Sequence, residues 1–266
     1  MKKILLSMMA LGLNLSAQAQ VVFSDNMGGT FSTNWTSQST VTGTASFSSG
    51  VLLVDNAGVS GQTWAYTSTS TYSSPYNTTL TNNSNNVQWA INMRTLTTDP
   101  SSTNRMAFVL AADSSNFSTA SGYAVRVGGN SPSTDPFELI YFTGGVNGTT
   151  TAIASGASFT ANQYGNLRVV FNPLTDAWSL FGSTGSSWSD PLLETTQLGA
   201  TTVNNTGVGA TLGFSGVWSL HTTGAAQDRS FDNLTVTVVP EPSTFALVAG
   251  GLVGLAALRR FRGKKA

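Results

Sequence analysis

The chain has 266 residues, with 12 basic and 12 acidic side chains, one histidine and no cysteine. Without cysteine, disulfides, zinc–thiolate sites, iron–sulfur clusters and thiol nucleophiles are excluded. The net charge of zero is a sum over unlike segments: seven basic residues lie at the two ends, whereas Val21 to Val238 has five arginines, no lysine and eleven acids. This acidic central region is not a nucleic-acid-binding surface.

The N-terminus has the three parts of a secretory signal peptide. Lys2 and Lys3 precede an apolar run over 4–15, and Ala17 and Ala19 follow at the spacing that signal peptidase requires. We expect the export machinery to move the chain across the membrane and signal peptidase to remove residues 1–19. The alternative is a buried N-terminal helix.

A second three-part pattern lies at the C-terminus. Pro240-Glu241-Pro242 precedes an apolar run over 245–258 and then a cluster of arginine and lysine. Because proline fixes its backbone torsion and lacks an amide donor, the tripeptide is expected to be extended and accessible. As a helix the apolar run spans about 21 Å, against about 30 Å for a bilayer core, so it is a short transmembrane helix that snorkelling arginines and local thinning make feasible. The basic end would stay in the cytoplasm, with the rest of the chain outside.

This composite over 239–266 resembles the PEP-CTERM sorting signal of Gram-negative bacteria. The resemblance implies that an exosortase, a membrane-embedded cysteine transpeptidase-like enzyme, reads Pro240, Glu241 and Pro242 as its substrate. It also implies transient anchoring in the inner membrane, followed by transfer to the cell surface or extracellular matrix, often alongside exopolysaccharide production. The alternative is a permanent single-helix anchor.

The region between the two signals alternates between apolar and polar residues with a period of two, and polar turns interrupt it. About a dozen such segments predict an all-β, antiparallel sandwich over 20–238, with the tryptophans filling the core and Ser/Thr-rich faces outside. The turn over 172–176 predicts a hairpin. The clearest one-sided apolar sets are Val87, Trp89, Ile91 and Met93; Tyr123, Val125 and Val127; Leu167, Val169 and Phe171; and Leu234, Val236 and Val238.

Four segments resemble the concanavalin A-like (LamG-type) jelly roll. They are Asp25-Asn26-Met27 with Trp35, then 47–52, 166–180 and 231–236. The resemblance implies a jelly-roll β-sandwich whose first and last strands lie side by side, which would bring Asp25 close to Asp232. The fold by itself does not determine the function.

Catalytic residues are scarce in the central region. Glycoside hydrolysis usually requires two facing carboxylates, and the two glutamates, Glu138 and Glu194, have no acidic neighbour within four residues. A serine hydrolase would need His221, which we expect in a solvent-facing loop without a nucleophile elbow. The sequence therefore predicts a protein that is not an enzyme. The alternative is a glycan-active enzyme with acids contributed by distant loops.

Two kinds of ligand are compatible with the remaining polar and aromatic residues. Asp25, Asp232 and Asn233 offer oxygen ligands for a structural calcium ion, although these residues can instead satisfy turn backbone groups. Trp188 and the two tyrosines Tyr72 and Tyr76 are loop aromatics that can stack on a sugar, and their alternative role is ordinary edge packing.

These observations together predict an exported surface or matrix protein. Its sandwich is expected to be structural or adhesive and associated with extracellular polysaccharide, and its C-terminal signal is expected to be the substrate of the sorting enzyme.

Overall fold

The computed structural model describes residues 19–29, 34–55, 58–96, 99–129, 135–222 and 229–239. These residues form fifteen β-strands and three short 3₁₀ turns, Thr69–Thr71, Leu80–Asn82 and Pro191–Leu193. The strands are β1 (Gln20–Asp25), β2 (Thr36–Ser39), β3 (Thr44–Ser48), β4 (Val51–Asp55), β5 (Gly61–Ser68), β6 (Asn86–Thr95), β7 (Arg105–Ala112), β8 (Gly122–Val127), β9 (Pro136–Thr143), β10 (Thr149–Ser158), β11 (Tyr164–Asn172), β12 (Ala177–Gly185), β13 (Gln197–Val203), β14 (Phe214–His221) and β15 (Arg229–Val239). The predicted all-β class is confirmed.

The strands form two antiparallel sheets packed face to face. As far as the chain is described, sheet A has eight strands in the order β13-β12-β11-β6-β15-β4-β3, with β1 also paired to β15, and sheet B has seven in the order β10-β9-β8-β7-β14-β5-β2. The first and last strands are therefore neighbours, as the jelly-roll resemblance implied. Residues Val21–Val238 make one compact unit.

The period-two pattern correctly assigns the inner face of sheet A. In the register of β6 with β11, Ile91 lies opposite Leu167 and Trp89 opposite Val169. These four side chains are buried in one core cluster between the sheets. The predicted hairpin is also present, since β11 and β12 pair in register up to Asn172, whose side chain accepts a hydrogen bond from the amide of Leu174 in the turn.

A stack of aromatic rings joins the two sheets. Trp178 of β12 lies 4.2 Å from Tyr123 of β8 and 4.6 Å from Phe171 of β11, measured between ring centroids. The indole N–H of Trp178 donates to the carbonyl of Asn204 at 3.1 Å, so its one polar atom is satisfied. Such stacking adds to the burial of apolar area that holds the sandwich together.

The outer face of sheet B carries a second apolar cluster rather than the expected Ser/Thr-rich surface. Trp64 and Trp218 lie in it together with Phe117 and Val146 from two loops that fold over the sheet. The indole N–H of Trp64 donates to the carbonyl of Ser115 in the first of these loops at 2.9 Å. The tryptophans therefore do not all fill one core, because covering loops turn part of an outer face into a second interior.

Several predictions lie outside the described residues. They are Ala17 and the rest of the signal peptide through residue 18, the motif residues Pro240, Glu241 and Pro242, and the transmembrane helix over 245–258. Ala19 is described and exposed, directly before β1. Among the residues that the structure does describe, no helix has the length and apolar character needed to cross a membrane.

The aromatic stack gives a direct test of the core. We predict that Trp178→Ala lowers the free energy of unfolding by about 3–5 kcal/mol, because the change removes a fully buried ring and leaves a cavity. Urea denaturation of the purified protein measures this difference.

Leu174→Ala is the matched control, since Leu174 is 71% exposed in the β11–β12 turn and its truncation should change stability by no more than about 0.5 kcal/mol. Equal effects of the two substitutions would contradict the assigned core.

Candidate functional site

Two buried asparagines lie on the outer face of sheet A, the face turned away from sheet B. Asn92 of β6 and Asn166 of β11 are opposite each other in the strand register, and they are 0% and 4% exposed. The amide Nδ2 of Asn92 donates to Oδ1 of Asn166 at 2.7 Å. Polar side chains at outward positions of a sheet are usually solvated, so their burial means that another segment covers them.

The covering segment is the loop over 186–196, which joins β12 to β13. Its Ser189 amide donates to Oδ1 of Asn166 at 3.0 Å, and its Ser189 carbonyl accepts from Nδ2 of Asn92 at 3.0 Å. Both backbone groups of one loop residue are thus fixed by the two asparagines. Since an unpaired buried amide costs free energy, this arrangement holds the loop on the sheet.

A second set of hydrogen bonds holds the far end of the same loop. The Nε of Arg168 on β11 donates to the carbonyl of Glu194 at 2.8 Å, and the hydroxyl of Ser183 on β12 donates to Oε1 of Glu194 at 2.7 Å. Burial lowers the pKa of Arg168, and the carboxylate of Glu194 opposes that shift. Within the loop, the carboxylate of Asp190 accepts from the amide of Leu192 at 3.0 Å and caps the 3₁₀ turn.

The last strand contributes a third side chain to the network through a backbone irregularity. Phe231 and Leu234 of β15 are both buried in the core although they are three residues apart, and Asn233 between them has a φ of 52°. This extra residue has the character of a β-bulge and turns Asn233 toward the outer face. Its Nδ2 donates to Oδ1 of Asn92 at 2.8 Å.

A groove of about 480 Å³ lies between the loop and β15. Residues of the loop form one wall, and Asn233 and Thr235 of β15 form the other. The loop residues that line it are Trp188, Ser189, Asp190, Pro191 and Leu192. The groove thus combines an aromatic ring, two aliphatic side chains, a carboxylate, an amide and hydroxyl groups, a mixture typical of sites for small polar molecules.

Trp188 is half-buried at this groove. Its ring meets Tyr164 of β11 edge to face at 5.3 Å, and its indole N–H points to the carbonyl of Met93 at 3.4 Å. The indole N–H is therefore held by the protein while the side chain lines the groove. Trp188 is one of the three aromatic residues expected to contact a glycan, and the structure places it at this groove.

Tyr72 and Tyr76 occupy a different environment. Tyr72 is 8% exposed and stacks on Phe23 at 4.7 Å, and Tyr76 packs against Tyr72 at 5.0 Å. Burial raises the pKa of Tyr72 above its usual range. Both rings thus pack against other aromatic side chains, which is the alternative role given for them above, and their contact with a glycan stays a prediction.

The residues expected to bind calcium do lie close together. The carboxylate of Asp25 accepts from the amide of Met27 and from the indole N–H of Trp35, both at 2.8 Å. Burial raises the pKa of Asp232, and the carboxylate of Asp25 raises it further, against a hydrogen bond from the amide of Asn233. No group of three acidic or histidine side chains suited to a metal ion occurs in the described parts of the chain, so calcium at Asp25, Asp232 and Asn233 stays a prediction.

The two glutamates lie on opposite faces of the sandwich, and His221 is buried. Glu138 forms a salt bridge with Arg126 at 3.1 Å on the outer face of sheet B, whereas Glu194 lies over the outer face of sheet A. These two faces point in opposite directions, so the two glutamates do not share a cleft. His221 is 0% exposed and its Nε2 lies 2.6 Å from the hydroxyl of Ser219, which corrects the expectation of a solvent-facing loop histidine.

Sequence reasoning identified Trp188 but missed the asparagine network beneath it. Asn92 and Asn166 occur at outward positions of correctly predicted strands, and side chains at such positions are expected to be exposed to solvent. The Ser/Trp/Asp-rich segment directly after β12 could indicate a loop that covers the outer face of sheet A. The sequence pattern does not specify, however, where such a loop lies.

The comparison with protein families concerns the C-terminal segment. A family model described as a PEP-CTERM protein-sorting motif matches residues 238–260. The chain carries a PEP-CTERM sorting motif over these residues. This match confirms the resemblance drawn from Pro240, Glu241, Pro242 and the basic tail, and the PEP-CTERM motif implies export and membrane-anchored sorting. No curated protein is similar to the chain in sequence.

Solved structures similar to the sandwich include a lectin, a carbohydrate recognition domain and a CBM2 module. Lectin II from Ulex europaeus is 13% identical with a TM-score of 0.56, and the match covers 83% of this chain and 99% of the lectin. The carbohydrate recognition domain of Emp47p is 10% identical with a TM-score of 0.53, covering 85% and 99%. The CBM2 module of the evolved Dit of Lactobacillus casei BL23 phage J-1 is 10% identical, also at 0.53, covering 84% and 97%. These matches confirm the concanavalin A-like jelly-roll fold.

The asparagine network makes the loop testable. We predict that Asn166→Ala speeds hydrogen exchange at the Ser189 amide at least about tenfold while the amides of β6 and β11 remain protected, because the loop loses its acceptor. Hydrogen exchange followed by NMR measures both.

Asn205→Ala serves as the control, since Asn205 is exposed and should leave exchange in the loop unchanged. Unaltered protection of Ser189 in Asn166→Ala would show that the network does not hold the loop.

Proposed function

We propose that this chain is an exported protein of the cell surface or extracellular matrix of a Gram-negative bacterium, and that its sandwich binds polysaccharide without chemically changing it. The observation that carries the proposal is the groove in which Trp188 lies among hydrogen-bonding groups. An aromatic ring can stack on the apolar face of a sugar, while amide, carboxylate and hydroxyl groups bind its hydroxyls.

The geometry of the groove supports this function in two ways. The ring of Trp188 already packs against Tyr164, and the side chain of Asn233 already donates to Asn92, so ligand binding requires little ordering of either side chain. Leu192 and Pro191 add apolar surface beside the polar groups, which suits a sugar with both kinds of face. The lectin and carbohydrate recognition domain of similar fold lend further support.

We further propose that the C-terminal segment is the substrate of an exosortase-type membrane enzyme. In this proposal Pro240, Glu241 and Pro242 are read by that enzyme, the helix over 245–258 anchors the chain transiently in the inner membrane, and signal peptidase has already removed residues 1–19. The groove residues all precede the matched motif, so the sandwich keeps its groove when the signal is removed.

The second candidate is a glycan-active enzyme on the same fold. Asp190 lines the groove and Asp232 is adjacent to Asn233, so two carboxylates are available near one cavity. Glycan chains that become shorter on incubation with the protein, and remain intact with Asp190→Asn or Asp232→Asn, would establish that alternative.

The binding proposal predicts a specific loss at Trp188. Trp188→Ala should weaken binding to the polysaccharide that the wild-type protein binds best on a glycan array by about tenfold or more, because the stacking ring is removed. Isothermal titration calorimetry measures the change.

Leu193→Ala is the matched control, because Leu193 belongs to the same loop, is 75% exposed and does not line the groove. The proposal is wrong if wild type binds no glycan on the array, or if Trp188→Ala binds as tightly as Leu193→Ala.

The sorting proposal predicts the mature C-terminus. Mass spectrometry of the protein isolated from the cell surface of its host should find no peptide that contains Lys265. Replacing Pro240, Glu241 and Pro242 together by alanine should leave the full-length chain in the membrane, whereas Ser243→Ala should be processed normally. Surface protein that retains Lys265 would indicate a permanent anchor.

A further inference from the structure

Arg94 lies on the same outer face as the asparagine network and is linked through Tyr164 to Trp188, which lines the groove. It follows Asn92 by two residues on β6 and is opposite Tyr164 in the register with β11. Its guanidinium lies 4.4 Å from the centroid of the Tyr164 ring, and Tyr164 in turn contacts Trp188 at 5.3 Å. Arg94, Tyr164 and Trp188 therefore form a continuous row of contacts that begins at the aromatic side chain of the groove.

The guanidinium of Arg94 has no anionic partner in the part of the chain that the structure describes. Its Nε is shielded from solvent without a hydrogen-bond acceptor in the described ranges, so the donors open to a ligand are those of the two terminal nitrogens, and the guanidinium lies over the ring of Tyr164. The lack of an anionic partner for Arg94 is not due to a shortage of acidic residues, since the region between Val21 and Val238 has eleven acids for five arginines.

Three other arginines illustrate the usual arrangement. Arg126 pairs with Glu138 at 3.1 Å, Arg105 donates to Asn147 at 2.7 Å, and Arg168 donates to the Glu194 carbonyl at 2.8 Å. Arg94 alone among these four donates to no acceptor within the described ranges, although it is half-buried. A stacked guanidinium with unused donors is arranged to receive two oxygens of one oxyanion in two parallel hydrogen bonds.

We propose that Arg94 binds an anionic group, a carboxylate or a sulfate, carried by the polysaccharide, so that the groove selects an acidic glycan; this inference rests on the proposed glycan binding. The sugar next to the one stacked on Trp188 bears the charge. Because the sandwich as a whole is acidic, selection comes from this one local contact rather than from long-range attraction of a polyanion.

The position of Asp190 limits where the charge of the ligand can lie. Asp190 lines the groove on the loop side, and a second anionic sugar beside it would be repelled. The row from Arg94 to Asp190 therefore fits a glycan in which charged sugars are separated by neutral ones. Hyaluronan, in which a uronic acid alternates with a neutral amino sugar derivative, is a suitable probe of that pattern.

The test compares acidic and uncharged forms of the same chain. A panel of hyaluronan oligosaccharides, polyuronates, sulfated dextran and dextran is titrated into the purified exported protein, and the best acidic binder with carboxylates is then titrated after their reduction to hydroxyls. We expect binding to an acidic member to exceed binding to dextran, and carboxyl reduction to weaken it about tenfold. If sulfated dextran is the best binder, dextran itself is the uncharged comparison.

Variants of Arg94 identify the residue responsible. Arg94→Gln should lower affinity for the acidic glycan about tenfold and leave affinity for its uncharged form unchanged, and Arg94→Lys should fall between wild type and Arg94→Gln because it keeps the charge without the two-pronged geometry. Arg105→Gln, on the outer face of the opposite sheet, changes net charge equally and should bind like wild type. Thermal unfolding of each variant verifies that the fold is retained.

The outcomes separate this inference from the proposed function. Dextran bound as tightly as the acidic glycans, or an Arg94→Gln variant that loses acidic and uncharged glycans equally, would overturn the role of Arg94 while glycan binding stood. Should Arg94→Gln fail to fold, tight binding of the uncharged glycan by wild type would by itself overturn the inference. Absence of binding to every member of an array of acidic and neutral glycans would overturn the proposed function itself.

Discussion

The side chain of Asn92 makes three hydrogen bonds, to Asn166 on β11, Ser189 in the covering loop and Asn233 on β15, and it has no exposure to solvent. A buried amide in this position costs free energy unless both its donors and its acceptor are used. Placement of the loop and the direction of the Asn233 side chain therefore depend on one another. If any of the three partners is lost, a polar group is left buried without compensation, and both walls of the groove are affected.

The last strand links this network to the rest of the molecule. β15 lies in the interior of sheet A, between β6 on one side and β1 and β4 on the other, and its apolar side chains belong to the core. The irregularity at Asn233 keeps Phe231 and Leu234 in the core while turning Asn233 outward. The same strand ends at Val239, where the sorting motif over 238–260 has begun. All residues that line the groove therefore precede residues 238–260 in the sequence, the segment that the motif implies is used for sorting.

Alternation along the strands was sufficient to predict the sandwich, because inward side chains such as Trp89 must be apolar wherever a sheet has a buried face. The site was less predictable. Its hydrogen bonds join residues that are 74, 97 and 141 positions apart, and no local pattern encodes such pairs. The burial of His221 was also not predicted, because the sequence indicates a loop at this position, whereas β14 extends through His221.

The central claim is that glycan binds at the groove on sheet A, and chemical shifts of the tryptophan side chains test it most directly. In an NMR titration with the polysaccharide that the protein binds best, the indole N–H signal of Trp188 and the side-chain amide of Asn233 should shift together. Trp89 and Trp178 in the core, and Trp64 and Trp218 under the loops of sheet B, should remain unchanged. Shifts confined to Trp64 and Trp218 would place the ligand on the opposite face and contradict the account.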